Sequence, residues 1–197
     1  MTLLRPIRAG WAWFARKPLY ARIVFVLVAI LVVPLGQMTW VEWRIGQELA
    51  ATPEIVCVKE ETGDIRRVSD LYIALGDRFS IFCGVDDLIV ESMALGVTGW
   101  VSGMTNAWPA ECVELFELCA GGKFAEAREL YHILTPAFHL DTHVKLVQYI
   151  KLAENLVYGA PEWTRPPRLP LVGEERAMVV RTVKAAIAAL EKRAAKA

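Results

Sequence analysis

From about Glu48 onward, short apolar runs alternate with stretches in which apolar side chains recur every three or four residues. The runs Ile55–Val58, Phe79–Cys83 and Trp100–Ser102 have the length and β-branched or aromatic content of strands. After the first run, Ile65, Val68, Leu71, Tyr72 and Leu75 fall at helical spacing, with Thr62 or Asp64 as the N-cap. After the second, Leu88, Ser92 and Leu95 share a face and Gly96 closes the helix. After the third, Pro109 opens a helix whose buried stripe is Cys112, Leu115, Phe116 and Cys119, ended by Gly121-Gly122. Strand followed by helix, three times at this spacing, predicts an α/β fold with a parallel sheet and right-handed crossovers. Three more helices are predicted: Phe124 to about Phe138, His143 to Tyr158, and Glu174 to the C-terminus.

The first part of the chain has another texture, so the predicted boundary lies between an N-terminal segment 1–47 and a domain 48–197. Ile23–Val41 carries no charge over 19 residues. At about 1.5 Å per residue such a helix nearly crosses a hydrocarbon core of roughly 30 Å. Trp11, Trp13, Tyr20, Trp40 and Trp43 flank it, and Arg5, Arg8, Arg16, Lys17 and Arg22 precede it. That pattern predicts a transmembrane-like signal-anchor helix with a cytoplasmic N-terminus. A cleavable leader fits less well, because no small-x-small site follows the apolar core.

Charge narrows the partners. The 22 basic and 22 acidic side chains cancel, so no global field favours nucleic acid. The basic and aromatic N-terminus fits a membrane interface better than a nucleic acid, because it abuts the apolar run. Four scattered cysteines, Cys57, Cys83, Cys112 and Cys119, contain no CxxC and read as reduced core thiols, which suits a reducing compartment. His139-x-Asp141-x-His143 holds ligand-type residues, but the spacing straddles a loop-to-helix junction where Asp141 or Thr142 is an ordinary N-cap, so no metal site is expected. Lys145, Lys151 and Glu154 read as a solvated or inter-subunit helix face.

One residue stands out in "EIVCVKEETGD". Alternation puts Ile55, Cys57 and Lys59 on one side of the first strand and Val56 and Val58 on the other. Lys59 then ends the strand on the side away from the helices, half-buried. Such a lysine is useful as a neutral amine, since burial disfavours the ammonium form and a free amine can attack a carbonyl. The plainer alternative is a strand-end lysine that snorkels to water or pairs with Glu60 or Glu61.

"VCVKEETGD" resembles the Schiff-base lysine strand of the dihydrodipicolinate synthase / N-acetylneuraminate lyase family of (β/α)8 aldolases. "FCGVDD" (Phe82–Asp87), "GVTGWVSGMTN" (Gly96–Asn106) and "RPPRLPL" (Arg165–Leu171) follow in order and resemble the family's seventh strand, its eighth strand with the next loop, and the lead into its last helix. "LDTHVKLVQYIKLAE" and "CGVDDLIVESMALG" are most similar to the branch that deaminates 1-pyrroline-4-hydroxy-2-carboxylate. The resemblance implies a partial TIM barrel, strands 6–8 with the C-terminal helices. It implies Lys59 as the imine-forming lysine, Gly84 and Asp86 shaping the cleft, and backbone near Ser102 and Gly103 closing its floor. The substrate would be a small 2-keto acid or pyrroline carboxylate, with no metal or organic cofactor needed. A homo-oligomer in the cytoplasm is implied, with membrane association if Ile23–Val41 inserts.

The same resemblance leaves strands 1–5 unmatched, and with them the family's carboxylate-binding threonines, proton-relaying tyrosine and cleft-mouth arginine. Nothing in 1–50 resembles them, Tyr20 included. A basic N-terminal flank would also send the family's domain to the wrong side of a membrane, which points to a truncated or rearranged gene. The expectation is the C-terminal part of a Schiff-base lyase, inactive as a lone chain. The competing expectation is a membrane-anchored, non-catalytic interaction module built from a truncated barrel.

Overall fold

The computed structural model describes residues 46–196. The chain divides into two units between Ile55 and Val56. The described end of the first holds a helical turn, 46–50, where the Ala51 N–H donates to the Gln47 carbonyl at 3.1 Å. The expected membrane helix Ile23–Val41 lies outside the described residues. Among those that are described, no helix is long and apolar enough to cross a membrane.

The second unit opens with a three-stranded parallel sheet, β1 (Cys57–Glu60), β2 (Ser80–Cys83) and β3 (Gly99–Trp100), in the order β1-β2-β3. Helix α1 (Arg66–Leu75) connects β1 to β2, and the short α2 (Ile89–Ala94) connects β2 to β3. Four helices follow: α3 (Pro109–Ala120), α4 (Phe124–Phe138), α5 (Leu146–Tyr158) and α6 (Gly173–Ala194). The parallel α/β architecture is the predicted one, and α4 has the predicted limits.

Cross-strand register defines the two faces of the sheet. Val58 pairs with Ile81, and Glu60 pairs with Cys83, which pairs with Trp100. On this face Ile81 and Cys83 enter the core with Val68 of α1 and Ile89 of α2. On the other face lie Cys57 beside Ser80, and Lys59 beside Phe82, which pairs with Gly99. Cys57, Lys59 and Ser80 are exposed there and Phe82 is half-buried. The rest of the core is helical: Leu115 of α3, Leu130, Leu134 and Phe138 of α4, Leu152 of α5, and Val179 and Val183 of α6. Each such side chain contributes about 1.5–3 kcal/mol by leaving water.

Several expectations change in detail. Strand β1 runs two residues later than the apolar run, so Lys59 is its third residue and Glu60 ends it. Val58 lies on the helix-covered side as expected, whereas Val56 precedes the strand and is exposed. The N-cap position of α1 is Ile65, without a side-chain cap, and Asp64 stands one residue earlier, its Oδ1 accepting the Arg66 backbone N–H at 3.1 Å. In α2 the buried face is Ile89 and Ser92, and Leu95 is exposed. The cause is a 3-10 turn over Asp86–Leu88, which shifts the helical phase before α2 begins. Helix α5 starts at Leu146, after a 3-10 turn over His139–Thr142, so neither Asp141 nor Thr142 caps it. Cys83, Cys112 and Cys119 are buried free thiols, but Cys57 is exposed, because it shares the open face with Lys59.

Candidate active site on the open face of the sheet

Strand β1 aims Lys59 from the middle of the open face toward the C-terminal ends of the strands, where β2 and β3 pass into their loops. The alkyl stem of Lys59 crosses Gly84, the first residue after β2. A Cβ built on Gly84 would meet Lys59 Cε at 2.7 Å, Lys59 Cγ at 2.9 Å and the Glu60 carbonyl oxygen at 2.7 Å. The Gly84 N–H donates to that same carbonyl at 2.7 Å. Gly84 is therefore glycine because β1 and its lysine approach too closely for a side chain. The Lys59 ammonium donates to Glu61 Oε2 at 2.6 Å, and the lysine side chain is 38% exposed. The expected half-buried setting is thus not what the described residues provide. The pairing with Glu61 is the one the plainer reading of the sequence anticipated.

Asp86 is fully buried and acts as a clamp between two loops. Its Oδ1 accepts the Trp100 indole N–H at 3.1 Å and its Oδ2 accepts the Met104 backbone N–H at 2.7 Å. Burial pushes its carboxyl above the ordinary carboxylate range, against the opposing effect of these bonds. The clamp fixes the loop after β3 against the loop after β2. In that loop Ser102 Oγ accepts the Thr105 N–H at 2.9 Å, and Gly103 opens the turn Met104–Asn106. A Cβ on Gly103 would overlap Asp141 Oδ1 and meet Ile150 Cδ1 at 2.8 Å.

Asp141, read from the sequence only as a ligand-type residue or an N-cap, lies instead against Gly103. It is half-buried, and burial, together with the negative charges of Asp86, Glu61 and Asp87, pushes its carboxyl up to about 7, partly offset by Lys59. The sequence carries no signal for this placement, because its approach to Gly103 is a tertiary contact that no single-chain pattern reveals. Its neighbours in the His139-x-Asp141-x-His143 motif go elsewhere. His139 Nδ1 lies 2.6 Å from Asp87 Oδ2, and His143 stacks on Tyr149 with ring centres 5.0 Å apart. Asp87 is itself anchored through its carbonyl, which accepts the Tyr131 hydroxyl. Among the described residues no group of three His, Cys, Asp or Glu side chains is placed to hold a metal ion. Lys145 and Lys151, expected on a solvated or inter-subunit face, pair with Glu175 of α6 and with Glu154, each at 2.7 Å.

The structure thus brings Lys59, Gly84, Asp86, Gly103 and Asp141 to one end of the sheet, with Ser102 in the loop that Asp86 holds. Comparisons with known proteins identify the family. A model of the dihydrodipicolinate synthetase family matches residues 41–186. The 4-hydroxy-tetrahydrodipicolinate synthase of Exiguobacterium sibiricum is 36% identical over 132 residues, which is 66% of this chain and 43% of that protein. The enzyme of the same name from Archaeoglobus fulgidus is 31% identical over 142 residues, 70% of this chain and 47% of that one. The solved structure of the 4-hydroxy-tetrahydrodipicolinate synthase of Methylacidiphilum fumariolicum SolV superposes with a TM-score of 0.68 at 30% identity, covering 75% of this chain and 49% of that chain. These structural neighbours are TIM barrels, and this chain spans less than half the length of each relative named here. With three parallel strands in sequence, their helices, and a lysine strand closed on a glycine, the chain is a member of the dihydrodipicolinate synthetase family, matching it over part of the barrel.

Proposed function

We propose that Lys59 is the imine-forming lysine of a Schiff-base lyase acting on a 2-keto acid or a cyclic imine carboxylate. The observation that carries this reading is the placement of Lys59: inside a parallel strand, on the face away from the helices, its stem held against Gly84 and its amine at the strand's C-terminal end. Barrel enzymes put their chemistry at that end. The deprotonated amine adds to the carbon next to the substrate carboxylate. With a keto acid, the carbonyl oxygen leaves as water; with a cyclic imine, the ring nitrogen leaves as an amine. Either route gives an iminium whose C=N bond accepts electrons while a neighbouring group is added or lost. Glu61 holds the amine before reaction, and Asp86 fixes the loop of Ser102 and Gly103 that floors the cleft.

Lys59 is open to water and ion-paired, which supports a unit that forms the imine but does not turn substrate over until the open face is closed. Catalysis gains most of its rate from positioned groups in a dry site. An oligomer of such chains in the cytoplasm is the assembly the family reading favours. The same exposure favours the second reading, in which the chain is a non-catalytic module, membrane-anchored if Ile23–Val41 inserts. Incubation with pyruvate or a pyrroline carboxylate, then borohydride reduction and peptide mapping, tests the first reading. An adduct on Lys59 that Lys59→Ala abolishes supports it, whereas folded protein without adduct leaves the module. Protein that fractionates without membranes or detergent would remove the anchor.

A further inference from the structure

A cavity of about 260 Å³ is lined by α5, the segment 162–171 and the first turn of α6, and it shares no lining residue with the Lys59 end of the sheet. An apolar cavity of about 150 Å³ already admits benzene, so this one has room for a monocyclic acid. Leu152 and Leu171 are buried and give it an apolar floor, and Trp163, 72% exposed, lines it too. The indole thus keeps apolar surface that a ligand would remove from water. The polar groups of the cavity are mostly donors. Arg176 is spent, its guanidinium paired with Glu162 at 2.8 Å. Arg168 has no acid partner among the described residues, so two arginines face one carboxylate and one positive charge is uncompensated. Gln148 is buried and donates one amide N–H to the Leu169 carbonyl at 3.4 Å; its other amide N–H has no acceptor among the described residues.

We propose that this cavity binds a small carboxylate with an aromatic or apolar body. The body covers Trp163 and the Leu152–Leu171 floor, and the carboxylate accepts from Arg168 and Gln148. A guanidinium presents its N–H groups as a planar fork that fits the two oxygens of a carboxylate. A cationic ligand, which an exposed indole could otherwise attract, is repelled by the uncompensated arginine. A neutral ligand would leave that charge unanswered. The inference does not depend on the reading of Lys59, because such an acid carries no keto group or imine with which an amine could condense.

The test is a fluorine NMR titration of 4-fluorophenylacetate with the full chain. Wild-type protein shifts and broadens the signal saturably, with a Kd of about 1 mM or tighter. The uncharged 4-fluorophenylacetamide binds about tenfold more weakly, the scale of one hydrogen bond to a charged group. Arg168→Gln weakens the acid by about fivefold or more and brings acid and amide to within about twofold of each other. Trp163→Ala weakens both compounds alike, by about fivefold. Both residues are exposed, so neither substitution opens the core. Lys59→Ala leaves the titration unchanged. Three outcomes overturn the inference: no saturable binding to wild-type protein, equal binding of acid and amide, or binding that Arg168→Gln and Trp163→Ala leave unaltered. Loss of binding in Lys59→Ala would place the ligand at the sheet instead and overturn it too. Inorganic phosphate that competes as well as phenylacetate would show a bare anion site, which also contradicts it. Failure of the Lys59 reading leaves the inference standing.

Discussion

The two faces of one small sheet have opposite characters. On the face that carries Ile81 and Cys83, side chains vanish into a core shared with α1 and α2, and even Glu60 is buried, its carboxylate accepting the Thr62 N–H at 2.9 Å. On the face that carries Cys57, Lys59 and Phe82, the thiol is exposed and the lysine, its stem against Gly84, keeps 38% of its side chain open to water. A one-residue step along the same strand separates a position that holds the fold from a position available for chemistry. The difference teaches where stability resides: the covered face and the helices hold the unit together, and Lys59 on the open face could be removed without unfolding it.

Substitutions on the two sides measure that contrast, and the largest effect belongs to the covered side. Leu134, fully buried in α4, loses about 2–5 kcal/mol of stability on change to alanine, read as a lower urea midpoint. Asp86→Ala strands the Trp100 and Met104 N–H groups and lowers stability by about 2–4 kcal/mol in the same assay. A smaller, pH-dependent effect comes from Asp141. Its carboxyl is raised from 3.8 to about 7 in the folded chain, so the folded state holds that proton more tightly than the unfolded one. Its contribution is present below about pH 4 and is lost as pH rises through about 7. Asp141→Asn therefore gains stability relative to wild type as pH is raised across that window. The smallest effect is on the open face: Lys59→Ala changes stability by about 0–1 kcal/mol, because its pair with Glu61 is a surface ion pair. Accessibility gives a sharp companion result. A thiol reagent labels Cys57 rapidly in native protein and reaches Cys83, Cys112 and Cys119 only on unfolding, since burial both covers those three and raises their thiols, Cys112 to about 12. Rapid labelling of two or more thiols would break the contrast.

Much of this was legible in the sequence because the signals are local. Pro109 begins α3 and Asp64 holds the Arg66 N–H at the start of α1, through ring geometry or hydrogen bonds confined to a few residues. The alternation in β1 correctly put Cys57 and Lys59 on one side. What periodicity could not give is what covers a face: Cys57 looks like a core thiol by its apolar neighbours, yet its exposure depends on other elements. Nor could it give the phase of α2, which a 3-10 turn at Asp86–Leu88 resets. Of the candidate site, alternation gave the strand position of Lys59 and the resemblance alone pointed to Gly84, whereas the clamp made by Asp86 joins residues 18 apart and the placement of Asp141 depends on a contact between the 3-10 turn His139–Thr142 and Gly103. Long-range pairings of that kind leave no mark in a single sequence.

The most direct test compares lysines within one sample. Pyruvate and borohydride are applied to folded wild-type chain, and the rate of adduct formation at Lys59 is measured by peptide mapping against that at Lys123, an exposed lysine in the turn between α3 and α4. The account predicts that Lys59 reacts at least about tenfold faster, because a placed amine beside Gly84 gains from its setting where a free surface amine does not. Equal rates at Lys59 and Lys123 would contradict it, leaving Lys59 an ordinary surface lysine paired with Glu61.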